Sequence, residues 1–200
     1  MNSCLETIQI KNRRLCNIRY HNERLNRTRK IVYNCNDELS LEEIITIPAD
    51  LDNNIYKCRV IYDININIIE FQPYQIKPIH SIQLVEDNDI DYHYKWLDRT
   101  RFAEHLAKTK ADDILIIKNG YLSDTSYANV AFFNGQKWFT PATPLLAGTC
   151  RQRLLDEDKI IPEALQIKDL KHFHFIKLLN AMLDWEESPM LEISVLRFNP

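Results

Sequence analysis

Glycine is nearly missing from this chain, with three residues in 200, and no repeat or low-complexity segment interrupts it. No apolar run approaches the length of a membrane span, and residues 1–16 lack the apolar core of a secretory signal. A cytoplasmic protein with no membrane partner is therefore expected. Five cysteines, Cys4, Cys16, Cys35, Cys58 and Cys150, are an odd number without a C-x-x-C pair, which argues against a disulfide framework and a zinc knuckle alike. Reduced, structural thiols are expected. His172 and His174 have no third ligand in view, so they read as a structural pair and no metal site is expected. Net charge is small, −3, but unevenly spread: between Lys11 and Lys30 eight cations face Glu23 alone. Such a patch can hold nucleic acid, a phosphorylated ligand or an acidic surface of the same protein. Few aromatics interleave with it and no recognition spacing appears, so a nucleic-acid-binding module is a distant alternative and no nucleic-acid partner is expected.

What is present is a chain with 45% hydrophobic residues, enough for a real core in an α+β fold. Short strands over 5–10 and 15–18 precede a helix over 21–33, where Leu25, Thr28 and Val32 share a face. A second helix runs from Ser40 to before Pro48, and strands over 58–62 and 64–71 form a hairpin around Asp63. The acidic Glu86-Asp87-Asn88-Asp89 marks the expected boundary between a small N-terminal α/β lobe, 1–88, and a larger β-rich lobe, 89–200. In the second lobe a strand over 90–94 runs into a helix that buries Phe102 and Leu106. Two hairpins then turn on Asn119-Gly120 and Asn134-Gly135, pairs suited to the positive φ of a type I′ turn. The spans 167–179 and 191–196 read as closing strands.

The third glycine, Gly148, precedes Thr149-Cys150-Arg151, where a helix is expected to begin; its backbone N–H groups and the helix dipole suit a phosphate. Lys95 lies among Tyr92, Tyr94 and Trp96, where desolvation would make it a candidate Schiff-base amine; the plainer reading is a snorkelling surface lysine. Asp124, at a strand end, is a functional carboxylate or an ordinary cap. Arg24, one helical turn after His21, is a phosphate clamp or one solvated cation among eight.

Together these residues carry a resemblance. Tyr94-Lys95-Trp96-Leu97-Asp98-Arg99, Ala111-Asp112-Asp113, Asn119-Gly120-Tyr121-Leu122-Ser123-Asp124, Ala128-Asn129-Val130, Phe139-Thr140-Pro141 and Leu146-Ala147-Gly148-Thr149-Cys150-Arg151 follow one another in the order and spacing of the class IV pyridoxal-phosphate enzymes. The chain resembles that superfamily of branched-chain and D-amino-acid aminotransferases and 4-amino-4-deoxychorismate lyases. The match reaches back to Thr7 and His21-Asn22-Glu23-Arg24-Leu25, and forward to Asn180-Ala181-Met182. It implies a two-domain fold-type IV enzyme with pyridoxal 5′-phosphate as cofactor and a homodimeric state. It also implies that Lys95 forms the Schiff base and moves the proton, Asp124 pairs with the pyridine nitrogen, and Arg24 with the Gly148-Thr149 amides grips the phosphate. Asn180 would lie near the cofactor and Thr7 near an amino-acid-like substrate. The implied reaction is pyruvate elimination from aminodeoxychorismate to leave 4-aminobenzoate, with transamination of branched-chain or D-amino acids as the alternative. Two departures stand out. Asp124 replaces the family's usual glutamate, one methylene longer, and the N-terminal lobe is short.

Overall fold

Cys4–Lys11 (β1) buries Cys4, Glu6, Ile8 and Ile10 at two-residue spacing, so one face of the strand lies against a helix. The computed structural model describes residues 2–198. After Arg14–Leu15 (β2), Asn17 takes a left-handed conformation (φ 53°) that ends extended structure, and the helix Ile18–Tyr33 (α1) begins three residues earlier than the apolar spacing predicts. Its buried stripe is 21, 24, 25, 28 and 29, the 3–4 spacing of one helical face. That stripe carries His21, Arg24 and Arg29 rather than apolar side chains alone. Asn34, also left-handed (φ 57°), stops the helix by donating its N–H to the Arg29 carbonyl.

Leu41–Ile44 (α2) is a single turn, and Tyr56–Tyr62 (β3) and Ile66–Pro73 (β4) complete an antiparallel sheet in the order β2-β1-β3-β4. Ile8, Ile10, Leu25, Leu41, Cys58, Val60 and Tyr62 form its core. These elements, with Tyr94–Asp98, make the first of two units. The unit ends at Ile76 rather than at the acidic stretch, because Ile82–Glu86 (β5) pairs with strands of the later half. The segment Tyr94–Asp98 returns to the first unit by backbone pairing. Leu5 N–H donates to the Lys95 carbonyl (2.8 Å), Leu97 N–H donates to Ser3 (2.9 Å), and Trp96 bridges Cys4.

The second unit, Lys77–His93 with the chain from Arg99 onward, holds Thr100–Ala107 (α3), Asp113–Lys118 (β6), Tyr121–Thr125 (β7), Asn129–Phe133 (β8), Trp138–Pro141 (β9), Thr149–Asp156 (α4), Ile161–Glu163 (β10), Phe175–Leu179 (β11), Met190–Glu192 (β12) and Leu196–Arg197 (β13). Two sheets run β13-β5-β6-β7 and β10-β9-β8-β11-β12, with Leu115, Leu122, Val130, Phe132, Ile176 and Leu178 in the core.

Several expectations are corrected. Residues 90–94 form no strand; Asp87 instead accepts N–H bonds from Asp89 and Ile90 and pairs with Arg101 (2.7 and 3.0 Å) and His105 (2.6 Å), so a polar clamp shapes this stretch. Asn119-Gly120 is a two-residue turn with φ of 53° and 81°, as predicted. Asn134-Gly135 is not: only Gly135 has positive φ, and Asn134 Oδ1 accepts from Gln136 and Lys137 N–H to build a longer Asx-type loop. The span 167–179 divides into a 3-10 turn, Ile167–His172, and β11, so His172 and His174 do not share a strand. The span 191–196 likewise splits between β12, a 3-10 turn and β13, in different sheets. All five cysteines are free thiols. Among the described residues no helix is long and apolar enough to cross a membrane, and no group of three metal-ligating side chains gathers.

Candidate active site

In the first unit His21 and Arg24 converge on Glu6. The period-two alternation of β1 points this carboxylate at α1, where it is fully buried. Arg24 donates from Nε to Oε1 (2.8 Å) and from Nη2 to Oε2 (2.6 Å), and His21 Nδ1 lies 2.6 Å from Oε2. Burial alone would raise the Glu6 pKa; the Arg24 charge, its two hydrogen bonds and that of His21 prevail and bring it to about 2. His21 is shifted the other way: burial outweighs Glu6, with Arg24 and Lys95 adding repulsion, and its pKa falls. That repulsion places the Lys95 charge within electrostatic reach of the cluster. Lys95 is half-buried in an irregular segment, its backbone fixed against β1 and its neighbours Tyr94 and Trp96 in edge-to-face contact at 5.4 Å.

Thr7, half-buried, falls on the opposite face of β1 from Glu6 and directly opposite Arg59 of β3, itself paired with Glu70. Of the eight clustered cations, Arg13, Arg19, Arg24 and Arg29 have intramolecular partners, which consumes much of the patch.

In the second unit Asp124 and the Leu146 peptide, two residues before Gly148, share one hydrogen-bonded group. A tight turn between β7 and β8, closed by Thr125 N–H to the Ala128 carbonyl (2.9 Å), sets Asn129 beside Asp124. Asp124 Oδ1 accepts from Asn129 Nδ2 (2.8 Å) and Oδ2 from Leu146 N–H (2.9 Å); Asn129 Nδ2 also donates to the Leu146 carbonyl (2.9 Å). Burial raises the Asp124 carboxyl and is only partly offset by these donors and the charge of Arg151, so its pKa is pushed up to about 6. Arg151, in the first turn of α4, is buried and donates to Thr140 Oγ1 (3.3 Å) and the Pro141 carbonyl (2.8 Å).

Gly148 is the N-cap of α4, with φ −70°, so backbone conformation does not require glycine there. Space does: an added Cβ would sit 1.9 Å from Asn129 Oδ1. Gly148 has no side chain with which to cap this helix start, and Thr149 at its first position is buried. Asn180 follows Leu179, the register partner of Asn129, and its Oδ1 accepts from Met182 N–H (2.9 Å) in a local turn.

Sequence reasoning missed Glu6 and assigned no role to Asn129 or Arg151. The signal for Glu6 was an acid inside an alternating apolar strand, facing a helix with His21 and Arg24 one turn apart. For Asn129 it was an amide five residues beyond Asp124, across a turn.

The amino-transferase class IV family model matches residues 3–186. A protein of Haemophilus influenzae of uncharacterised activity is 37% identical over 180 residues, 88% of this chain and 96% of that protein. A crystal structure from Haemophilus somnus, described as a proposed 4-amino-4-deoxychorismate lyase, is 31% identical, with a TM-score of 0.83 over 91% of this chain and 97% of its own. A Mycobacterium tuberculosis structure, a hypothetical aminotransferase in its pyridoxal-phosphate-bound form, shares the fold at 16% identity and a TM-score of 0.71, covering 95% of this chain and 80% of its own.

Proposed function

This chain belongs to the class IV aminotransferase family of pyridoxal-phosphate-dependent enzymes, and from that premise we propose that it removes pyruvate from 4-amino-4-deoxychorismate to leave 4-aminobenzoate. The observation that carries the cofactor assignment to particular residues is the buried Asp124 carboxylate, held by neutral donors and joined through Asn129 to the start of α4. A protonated pyridine nitrogen is the cation such a carboxylate lacks, and a glycine-capped helix start suits a phosphate. The donor set therefore fits the cofactor.

When bound, pyridoxal phosphate supplies an electron sink for the carbon bearing the substrate amine. Asp124 keeps the ring nitrogen protonated. Arg24, its Nε and Nη2 engaged by the buried Glu6, is an oriented guanidinium suited to a phosphate. In the second unit the Gly148 and Thr149 backbone at the start of α4 is likewise suited to a phosphate. Lys95, whose backbone is fixed against β1, accepts the proton from the amine-bearing carbon and returns one as enolpyruvate departs, so no keto acid is consumed. Thr7 and Arg59, neighbours on one sheet face, suit a substrate carboxylate. Asn180 belongs beside the cofactor, and the reading carries the homodimeric state of the family with it.

The choice of elimination over transamination is supported by the description of the Haemophilus somnus structure and by Thr7. The test is pyruvate release from aminodeoxychorismate by purified protein. Release without added keto acid is the expected result; a strict requirement for a keto-acid acceptor would make the enzyme an aminotransferase.

A further inference from the structure

We propose that Asn129 is a positioning residue that locks the Asp124 carboxylate to the start of α4, so that the group facing the cofactor ring and the backbone facing its phosphate move as one piece. The inference rests on the assignment of Asp124 to the ring nitrogen and adds a device to it.

Three engagements fix the Asn129 amide. Its nitrogen donates both hydrogens, one to Asp124 Oδ1 (2.8 Å) and one to the Leu146 carbonyl (2.9 Å). Its oxygen fills the space that a Cβ at position 148 would need, 1.9 Å from that atom. Turning the amide over would face its oxygen to two acceptors, so one orientation survives. Leu146 closes the ring by donating its own N–H to Asp124 Oδ2 (2.9 Å). A carboxylate on β7, an amide on β8 and a peptide two residues before the α4 cap are thus tied in a loop of hydrogen bonds, buried between Asp124 and Asn129 and part-buried at Leu146. Fully satisfied polar groups of this kind impose a single geometry, because any alternative leaves a buried donor or acceptor unpaired.

The device answers the missing methylene at Asp124. A shorter side chain cannot adapt its reach, so its placement must come from neighbours, and both carboxylate oxygens here are held by groups built around Asn129. It also gives Gly148 a reason distinct from backbone freedom: glycine leaves room for the amide that holds the carboxylate.

The test is a double-mutant cycle on pyridoxal-phosphate affinity, read by fluorescence quenching of the apoprotein, with circular dichroism confirming that each variant is folded. Gly148→Ala is expected to raise the dissociation constant about tenfold or more, by displacing the amide, and Asn129→Ala by about tenfold. The double variant should bind no more weakly than Asn129→Ala alone, since the obstructed amide is then gone. Asn129→Asp keeps the side-chain shape and serves if the alanine variants do not fold. It sets a second carboxylate against Asp124, so binding should weaken about tenfold at pH 8 and less at pH 5.5, where the pair can share a proton. A merely structural asparagine would lower stability with affinity and its pH profile unchanged. Tight binding by the parent protein with fold-changes that multiply independently, or a pH-independent Asn129→Asp, overturns this inference alone. A parent apoprotein that does not bind the cofactor overturns the site assignment and this inference together.

Discussion

At the scale of single residues, two buried carboxylates show opposite solutions to burial. Glu6 sits against Arg24 and remains a strong acid, whereas Asp124 is buried with neutral donors and only a partial offset from the charge of Arg151, and its pKa rises to about 6 from an ordinary 3.8. A carboxyl whose pKa is raised by folding destabilises the native state as it ionises. In the cofactor-free protein this loss begins as pH climbs past 4, where the unfolded chain has already released its proton, and is complete above 6. Asp124→Asn turns an NH2 toward one of the two donors that its oxygens accept from, a cost independent of pH, so the readable outcome is the trend: relative to the parent the variant should gain about 3 kcal/mol between pH 4 and pH 7, seen as a rising difference in urea midpoint. A difference independent of pH would mean that Asp124 does not titrate in this range. Strand end, aromatic neighbours and scarce glycine single out Asp124, Lys95 and Gly148 only as candidates, and their proposed roles come from the order of motifs rather than from any one local mark. The engagement of Arg24 by Glu6 did not show, since it depends on pairing across 18 positions of chain.

At the scale of elements, local turn chemistry succeeded where one pair of residues decides the geometry and failed where side chains compete. Asn119-Gly120 adopts its predicted turn because both positions take positive φ; Asn134-Gly135 does not, because the Asn134 side chain captures two downstream N–H groups. Gly120 has nothing within 4 Å of an added Cβ, so its replacement isolates backbone strain. Gly120→Ala should cost about 1 kcal/mol in unfolding free energy with cofactor affinity unchanged. A neutral result would mean that the turn relaxes to another type. The strand expected over 90–94 failed for a related reason: hydrophobic spacing alone cannot reveal that Asp87, Arg101 and His105 hold this stretch in an irregular path.

At the scale of the whole molecule, sequence composition and motif order identified an α+β chain of the class IV family, but the partition into units was legible only in part. β5 precedes the acidic stretch in sequence yet pairs in parallel with β6, and Tyr94–Asp98 crosses back to lie against β1; such pairings have no local signature. Lys95 lies in that returning segment, and it is the residue on which the functional account turns. The most direct test is borohydride reduction of the cofactor-loaded protein followed by peptide mass analysis. The account predicts that the pyridoxyl group is found on the peptide containing Lys95 and that Lys95→Ala removes both this adduct and the visible absorbance; an adduct on another lysine, or none, would contradict it.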